Sequence, residues 1–191
     1  MKRALLLLSL LALPVCAAPT RYYVKPVYTS LRFSIVKWGV LKEEGIFRDF
    51  DGTLIYDPAH PEASRIDVVA KASSLDTKNS GRDETVTGED FLDARRYPTI
   101  EFHSTGVDHN FVTGNLTIHG TTRRVRFPVT SLGVHEIASI GKMAGFETTF
   151  TINRRDFGVL GNRWGGAGRS ERQRGAAHHH RSDHASVMWD G

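Results

Sequence analysis

Apolar and polar residues alternate along most of the chain between Tyr22 and Phe157. Clear examples are the segments 31–35, 66–70 and 125–129, in which every second residue is apolar. β-Branched and aromatic residues are frequent in these segments, and Gly, Asp, Asn or Pro residues separate them. A period of two with such boundaries predicts strands that bury one face. About seven strands with short linkers predict an all-β, antiparallel sandwich or barrel.

One segment departs from this alternation. Residues 79–97 are rich in charge and carry Val86, Phe91 and Leu92 at helix-like intervals. Gly88 interrupts the segment, and Pro98 follows it. The pattern predicts one or two short helices that end before the proline.

The first residues have the three parts of a secretory signal peptide. A cationic start, Met1-Lys2-Arg3, precedes an apolar run from Ala4 to Leu13 and then small residues. The run is too short to span a bilayer, and we predict cleavage after Ala17 and export to the periplasm. The alternative, lipidation of Cys16, is disfavoured because Val15 is a poor residue before a lipidated cysteine.

The last part of the chain lacks alternation. Residues 164–191 are rich in Gly, Arg and His, with a triplet at 178–180, and we predict a disordered tail there, with at most a short apolar stretch at 185–189. A His triplet without supporting residues is not expected to form a metal site. The predicted organisation is therefore a signal peptide at 1–17, a β-domain at 18–163 and a divergent tail at 164–191.

Composition fits one domain and argues against several other classes. The chain has 191 residues, of which 40% are hydrophobic, and a single Cys excludes an internal disulfide framework. Its formal net charge is +4. Most of this excess lies in the leader and the tail, so the body is close to neutral and nucleic-acid binding is not indicated.

No catalytic motif is present. The sequence contains neither a Gly-x-Ser-x-Gly elbow nor a phosphate-binding loop. Histidines before the tail are scattered, at positions 60, 103, 109, 119 and 135. Carboxylates cluster around Asp83, but they suit the solvated face of a short helix better than acid–base chemistry. We therefore expect no catalytic residue, no metal and no cofactor.

Several short motifs follow one another in a recognisable order. They are GIFRDFDG at 45–52, Asp57-Pro58, SLDT at 74–77, DFLDA at 90–94 before YPTI at 97–100, VTGNLTIHGTT at 112–122 and INRRDFG at 152–158. Together they make residues 22–158 resemble the YceI family of periplasmic polyisoprenoid-binding proteins.

This resemblance implies a lipocalin-like antiparallel barrel of about eight strands with a long hydrophobic channel. It further implies non-enzymatic binding, transport or storage of an isoprenoid quinone or polyprenyl lipid. No transmembrane segment is expected; transient membrane contact and a homodimer are compatible with the sequence. Two alternatives stay open: an enzyme that modifies such a lipid through His119 or the carboxylates near Asp83, and a stress-related barrel with a filled core.

If the chain forms such a barrel, the apolar face of each strand points into the channel. The predicted channel residues are Phe33, Ile35, Phe50, Leu54, Ile66, Val68, Ile100, Phe102, Leu116, Ile118, Phe127, Val129, Phe146 and Phe150. Arg82, Asp83 and Arg154 match recurrent polar positions of the family. They are expected to order the helical segment or the channel mouth, with structural ion pairing as the favoured role.

The chain departs from the family pattern at two places. Family members often carry His near the end of the first long strand, where this chain has Lys37-Trp38, so a His contact to a head group is in doubt. Members also continue after the Asp-Phe-Gly motif into a closing strand. Here a Gly- and Arg-rich segment follows Trp164, and we expect the closing strand to be absent or altered by a changed gene end.

Overall fold

The computed structural model describes residues 19–37, 40–108, 110–161 and 184–190. The predicted signal peptide, Cys16 and the His178–His180 triplet lie outside these residues. In the part described, no helix is long and apolar enough to cross a bilayer.

Strands dominate the described residues, which contain twelve strands and one α-helix. In chain order the strands β1 to β12 are Thr20–Val24, Ser30–Lys37, Leu41–Phe47, Phe50–Tyr56, Arg65–Lys71, Leu75–Asp76, Thr99–Asp108, Phe111–Ile118, Thr121–Pro128, Thr130–Ile137, Gly141–Asn153 and His184–Asp190. The helix α1 is Ser80–Thr87, and short 3-10 turns occupy Pro61–Ala63, Ala72–Ser74 and Arg154–Phe157.

The strands form two six-stranded antiparallel sheets. The first has the order β1-β4-β5-β7-β8-β9, and the second has the order β10-β11-β12-β2-β3-β6. This confirms the predicted all-β, antiparallel, lipocalin-like class. Over the described backbone the two sheets are not joined into one closed ladder, which differs from the continuous barrel that the sequence suggested.

Among the described strands the chain changes sheet five times, and two of these passages are tight corners of one or two residues. At the first corner, β3 ends at Phe47 and β4 begins at Phe50 in the other sheet. The Arg48 N–H donates to the Ser74 carbonyl at 3.0 Å, and the Asp49 carbonyl accepts from the Lys71 N–H at 2.9 Å. At the second corner, β9 ends at Pro128, which has no N–H to donate. Packed corners of this kind keep the two sheets face to face without a shared ladder.

One prediction about the tail is wrong. The tail was expected to be disordered apart from at most a short apolar stretch at 185–189, but His184–Asp190 forms β12, which lies between β11 and β2 and is antiparallel to both. The register runs from Asn153↔His184 to Glu147↔Asp190 on one side and from Ala185↔Ile35 to Asp190↔Ser30 on the other. This strand occupies the position that the absent or altered closing strand was expected to leave open. Residues 164–183 lie outside the described part of the chain.

Helix α1 confirms the predicted break in the strand pattern. Its N-terminus is capped by Asn79, whose side chain accepts from the Arg82 N–H at 3.0 Å. The helix ends before Gly88, as the sequence predicted. Asp83 ties the helix to the end of β6, because its Oδ1 accepts from the Thr77 N–H at 2.8 Å and from the Thr77 hydroxyl at 2.6 Å.

The core lies between the two sheets and follows the strand alternation. In β5, Val68 and Ala70 are 3% and 1% exposed, whereas Val69 between them is 37% exposed. The main buried cluster comprises Leu75, Leu92, Phe102, Val112, Leu116, Ile118, Phe127, Phe157 and Val159. A second, smaller cluster comprises Leu31, Phe50 and Ala70. The inner face of most strands is thus removed from water, as period-two strands require, whereas β10 is exposed on both faces.

Candidate functional site

A cavity of about 750 Å³ lies between the sheets. Both sheets contribute lining residues, and so do α1 and the segment that follows it. Most of the lining side chains are aliphatic or aromatic. The volume is within the range of pockets that enclose one small organic ligand. The interior of the fold is therefore hollow rather than filled.

Thirteen of the fourteen predicted channel residues line this cavity. They are Phe33, Ile35, Leu54, Ile66, Val68, Ile100, Phe102, Leu116, Ile118, Phe127, Val129, Phe146 and Phe150. The apolar parity of the strands therefore does face the cavity. That these residues contact a ligand stays a prediction.

The fourteenth residue, Phe50, faces inward beside the cavity-lining Ala70 but is not itself part of the lining. It is 3% exposed and packs in the second cluster with Leu31 and Ala70, without lining the cavity. The sequence pattern treated residues 46–56 as one alternating series. In the structure the bend at Arg48-Asp49 separates two strands, and Phe47 rather than Ile46 faces the cavity.

Other lining residues were not predicted. Those on strands include Leu31, Phe47, Tyr56, Ala70, Val107, Val112 and Ile152, and those outside strands include Val86, Phe91, Leu92 and Val159. The strand residues carried the same alternation signal as the predicted ones. The second group carried none, because an irregular segment has no period from which its buried side can be deduced.

Aromatic side chains connect the two sheets through the cavity wall. Phe127 of β9 stacks on Phe150 of β11, with ring centroids 4.3 Å apart and an interplanar angle of 10°. Phe102 of β7 lies 5.2 Å from Phe127 in a tilted arrangement. Tyr56 and Phe146 make a further edge-on contact between the sheets at 4.9 Å. These contacts hold the sheets together where no ladder does.

One end of the cavity is charged. Arg82 of α1 forms an ion pair with Glu43 of β3, and Lys37 Nζ lies 3.7 Å from Glu43 Oε1. All three residues line the cavity. Arg82 Nε also donates to the Thr77 hydroxyl at 2.9 Å, which fixes the guanidinium in place. Of the predicted polar residues, Arg82 therefore lines the cavity together with two residues that were not predicted, and its place at a channel mouth stays a prediction.

The other two predicted mouth residues differ from each other. Arg154 lines the cavity, donates from Nη1 to the Val159 carbonyl at 2.8 Å and lies over the Phe91 ring at 5.8 Å. Asp83 does not line the cavity. Its carboxylate instead accepts hydrogen bonds from the N–H and the hydroxyl of Thr77. Its role is to hold α1 in place, which agrees with the structural alternative that the sequence favoured.

The residues named for an alternative enzymatic role are not at the cavity. His119 has a positive φ of 50°, sits in the β8–β9 turn beside Gly120 and packs against Tyr97 with ring centroids 4.4 Å apart. It does not line the cavity, and neither does Asp83. Within the described ranges no three His, Cys, Asp or Glu side chains come close enough to hold a metal. His109 is not among the residues that the structure describes.

His103 of β7 lies between two carboxylates on the outer surface of the first sheet. Its Nδ1 lies 2.8 Å from Asp67 Oδ1, and its Nε2 lies 3.6 Å from Glu101 Oε2. The hydrogen bond to Asp67 raises the pKa of His103 above its ordinary value, against the opposing effect of partial burial. His103 does not line the cavity, so this ion pair concerns stability.

The sequence was also compared with known proteins. Residues 22–173 match the family model described as a YceI-like domain. The chain belongs to the YceI-like family. The match reaches past Trp164, where the sequence pattern suggested that the family resemblance ends.

Relatives with similar sequences are named UPF0312 proteins. A UPF0312 protein of Pseudomonas putida strain W619 is 43% identical over 122 residues, which cover 61% of this chain and 64% of that protein. The chain thus spans slightly under two thirds of the length of this relative. A UPF0312 protein of Pseudomonas syringae pv. tomato is 40% identical over 134 residues, covering 68% of this chain and 70% of that protein.

Solved structures with the same fold include two that align with most of the chain. Burkholderia cenocepacia BcnA has a TM-score of 0.71 at 22% identity, covering 87% of this chain and 96% of BcnA. A polyisoprenoid binding domain from Saccharophagus degradans, implicated in plant cell wall breakdown, has a TM-score of 0.58 at 12% identity, covering 88% and 94%. At these identities the likeness establishes the fold.

Proposed function

We propose that this chain binds one polyisoprenoid lipid, an isoprenoid quinone or a polyprenyl compound, in the cavity between its sheets. The observation that carries the proposal is the mainly aliphatic and aromatic lining of the 750 Å³ cavity. The Saccharophagus degradans neighbour is a polyisoprenoid binding domain with the same fold, which supports the same ligand class here. The proposed role is transport or storage in the periplasm, after removal of the signal peptide.

The physical basis is the transfer of an apolar chain out of water. Each buried CH₂ group contributes about 0.8 kcal/mol, so a branched chain of many carbons binds with few polar contacts. Part of this gain offsets the lost freedom of the ligand. A preformed cavity reduces that cost, because Phe102, Phe127 and Phe150 already hold each other in position.

The proposed role includes no chemical step. His119 and Asp83, the residues considered for catalysis, are both occupied in structural contacts outside the cavity. A lipid in the cavity would meet mainly aliphatic and aromatic side chains, which neither donate nor accept protons.

Two matched variants test this proposal. Val68 and Val69 are neighbours in β5, but Val68 lines the cavity and Val69 is on the opposite, exposed face. Val68→Phe adds volume inside the cavity, whereas Val69→Phe adds the same volume outside. Both proteins are purified without detergent and extracted with organic solvent, and the extracted lipid is quantified by mass spectrometry per mole of protein. Circular dichroism checks that both variants fold.

We expect wild type and Val69→Phe to carry the same isoprenoid lipid, and Val68→Phe to carry much less. If Val68→Phe does not fold, Ile66→Phe replaces it, because Ile66 lines the cavity from a less buried position. Equal lipid content in the inner and outer variants would contradict binding in the cavity. Wild-type protein that carries no lipid and takes none up would contradict the proposal itself.

A further inference from the structure

The charged end of the cavity is defined by strand register as well as by distance. Ile35 of β2 pairs with Glu43 of β3, and Lys37 lies two residues beyond Ile35 on the same strand. Residues two apart on a strand share a face, so Lys37 and Glu43 point to the same side as the cavity-lining Ile35. Arg82 reaches the same carboxylate from α1. Three charged side chains therefore meet where the apolar lining ends.

Positive charge exceeds negative charge in this cluster. Of its cavity-lining members, Lys37 and Arg82 share the single carboxylate of Glu43, and the side chains of Arg82 and Glu43 are only 25% and 20% exposed. The nearby Asp83 carboxylate is on the far side of Thr77 and does not line the cavity. The neighbouring Lys42–Glu44 pair, at 2.6 Å, consists of exposed side chains that do not line the cavity. A net positive charge in a partly desolvated site attracts an anion more strongly than it would in water.

Hydrogen-bond donors remain at this end for a ligand. A guanidinium carries five N–H donors, of which Arg82 directs Nε to Thr77 and Nη1 to Glu43. An ammonium carries three donors, and Lys37 Nζ is 3.7 Å from Glu43, which is longer than a normal hydrogen bond. Both cations can therefore donate to oxygens of a group that enters from the cavity.

At the opposite end of the second sheet, a negatively charged residue lines the cavity instead of a positively charged cluster. Glu147 also lines the cavity, but it pairs with Asp190, which pairs with Ser30 at the start of β2. Ser30 is seven residues from Lys37, or about 23 Å along an extended strand. The second sheet thus presents an acidic residue near one end of the cavity and the basic cluster at the other. Two other arginines line the cavity, but Arg65 and Arg154 donate to main-chain carbonyls. The charge along the second sheet therefore favours one direction for a ligand with a single anionic end.

We propose that Lys37 and Arg82 bind an anionic, phosphate-type head group of the isoprenoid lipid whose tail occupies the cavity. This inference rests on the proposed function and narrows its ligand class from isoprenoid lipids in general to anionic ones. The tail supplies most of the affinity, and the cations supply head-group selectivity and orientation.

The test compares two ligands with the same fifteen-carbon tail. Bound lipid is first removed from the full-length protein by solvent extraction. The affinities of farnesyl phosphate and farnesol for this protein are then measured by titration calorimetry at low salt, with each ligand also tested as a competitor of the other. We expect farnesyl phosphate to bind about tenfold more tightly, the order of one charge-assisted hydrogen bond. Lys37→Met is expected to remove most of that preference, whereas Lys42→Met, the exposed control on the same hairpin, is expected to retain it. The wild-type preference should also decrease as NaCl is raised, because screening weakens the attraction.

Each other outcome has a defined meaning. Equal binding of the two ligands by wild type, or a preference unchanged by Lys37→Met and by salt, overturns the head-group site and leaves the proposed lipid binding intact. Failure to bind either ligand overturns the proposed function as well. A third arm adds inorganic phosphate alone: displacement of farnesyl phosphate by millimolar phosphate would mean a free-phosphate site and overturn the lipid assignment. No displacement supports it.

Discussion

The stacked pair of Phe127 and Phe150 offers a sharp test of how the two sheets are held together. Phe127 is 6% exposed and contacts an aromatic ring in each sheet, Phe102 in its own and Phe150 in the other. Truncating a buried Phe to Ala costs about 3–5 kcal/mol. Because one side of Phe127 already faces a cavity, we expect a value near the lower limit, about 3 kcal/mol. For a domain of this size that corresponds to a fall in Tm of about 10 °C.

The assay is urea and thermal unfolding of wild type and Phe127→Ala, followed by circular dichroism. Phe111→Ala is the matched control, because Phe111 lies on the adjacent strand β8 and pairs with Pro128 but is 36% exposed. Its ring is covered mainly by the Arg126 guanidinium at 3.7 Å, a contact of about 0.5–1 kcal/mol. A loss below about 1 kcal/mol for Phe127→Ala, or equal losses for both variants, would refute the argument that this stack joins the sheets.

Two further predictions concern polar contacts. Replacing Asp83 by Asn weakens the two hydrogen bonds from Thr77 that hold α1, so the free energy of unfolding in urea should fall by about 1–2 kcal/mol. The exposed control Glu84→Gln should change it very little. Similar losses in both variants would contradict the proposal that Asp83 holds α1 in place. Because the folded state raises the pKa of His103, the Asp67 pair stabilises the fold fully below about pH 6.5 and loses this effect as pH rises through the folded pKa. His103→Gln should therefore lower the free energy of unfolding, measured with urea, more at pH 5.5 than at pH 8.5. The difference should be a few tenths of a kcal/mol, because both side chains are half exposed. An equal effect at the two pH values would contradict the ion pair.

The inward-facing residues could be predicted from the sequence because strand geometry fixes them locally. Alternate residues of a strand point to opposite faces whatever the strand pairs with. Ile66 and Val68 were therefore assigned correctly without any knowledge of the register. The same rule failed in β3, because a bend of two residues at Arg48-Asp49 makes Phe47 rather than Ile46 the inward-facing position. No turn signal as strong as Gly or Pro marks this bend.

Non-local features could not be obtained in this way. The segment His184–Asp190 follows a Gly- and His-rich stretch and has little strand signal of its own, but β11 and β2 provide a hydrogen-bonding edge on either side of it. Such tertiary pairing outweighs intrinsic strand propensity. The charged end of the cavity is similar: Lys37, Glu43 and Arg82 are separated in sequence and meet only because β3 and α1 lie next to each other at that end.

The central claim is that an isoprenoid lipid occupies the space between the two sheets. A crystal structure of the wild-type protein, purified without detergent, tests it most directly. The account predicts continuous electron density for a branched apolar chain between the sheets, in contact with Phe102, Phe127 and Phe150. An interior filled by repacked side chains, or lipid density only on the outer surface of the sheets, would contradict it.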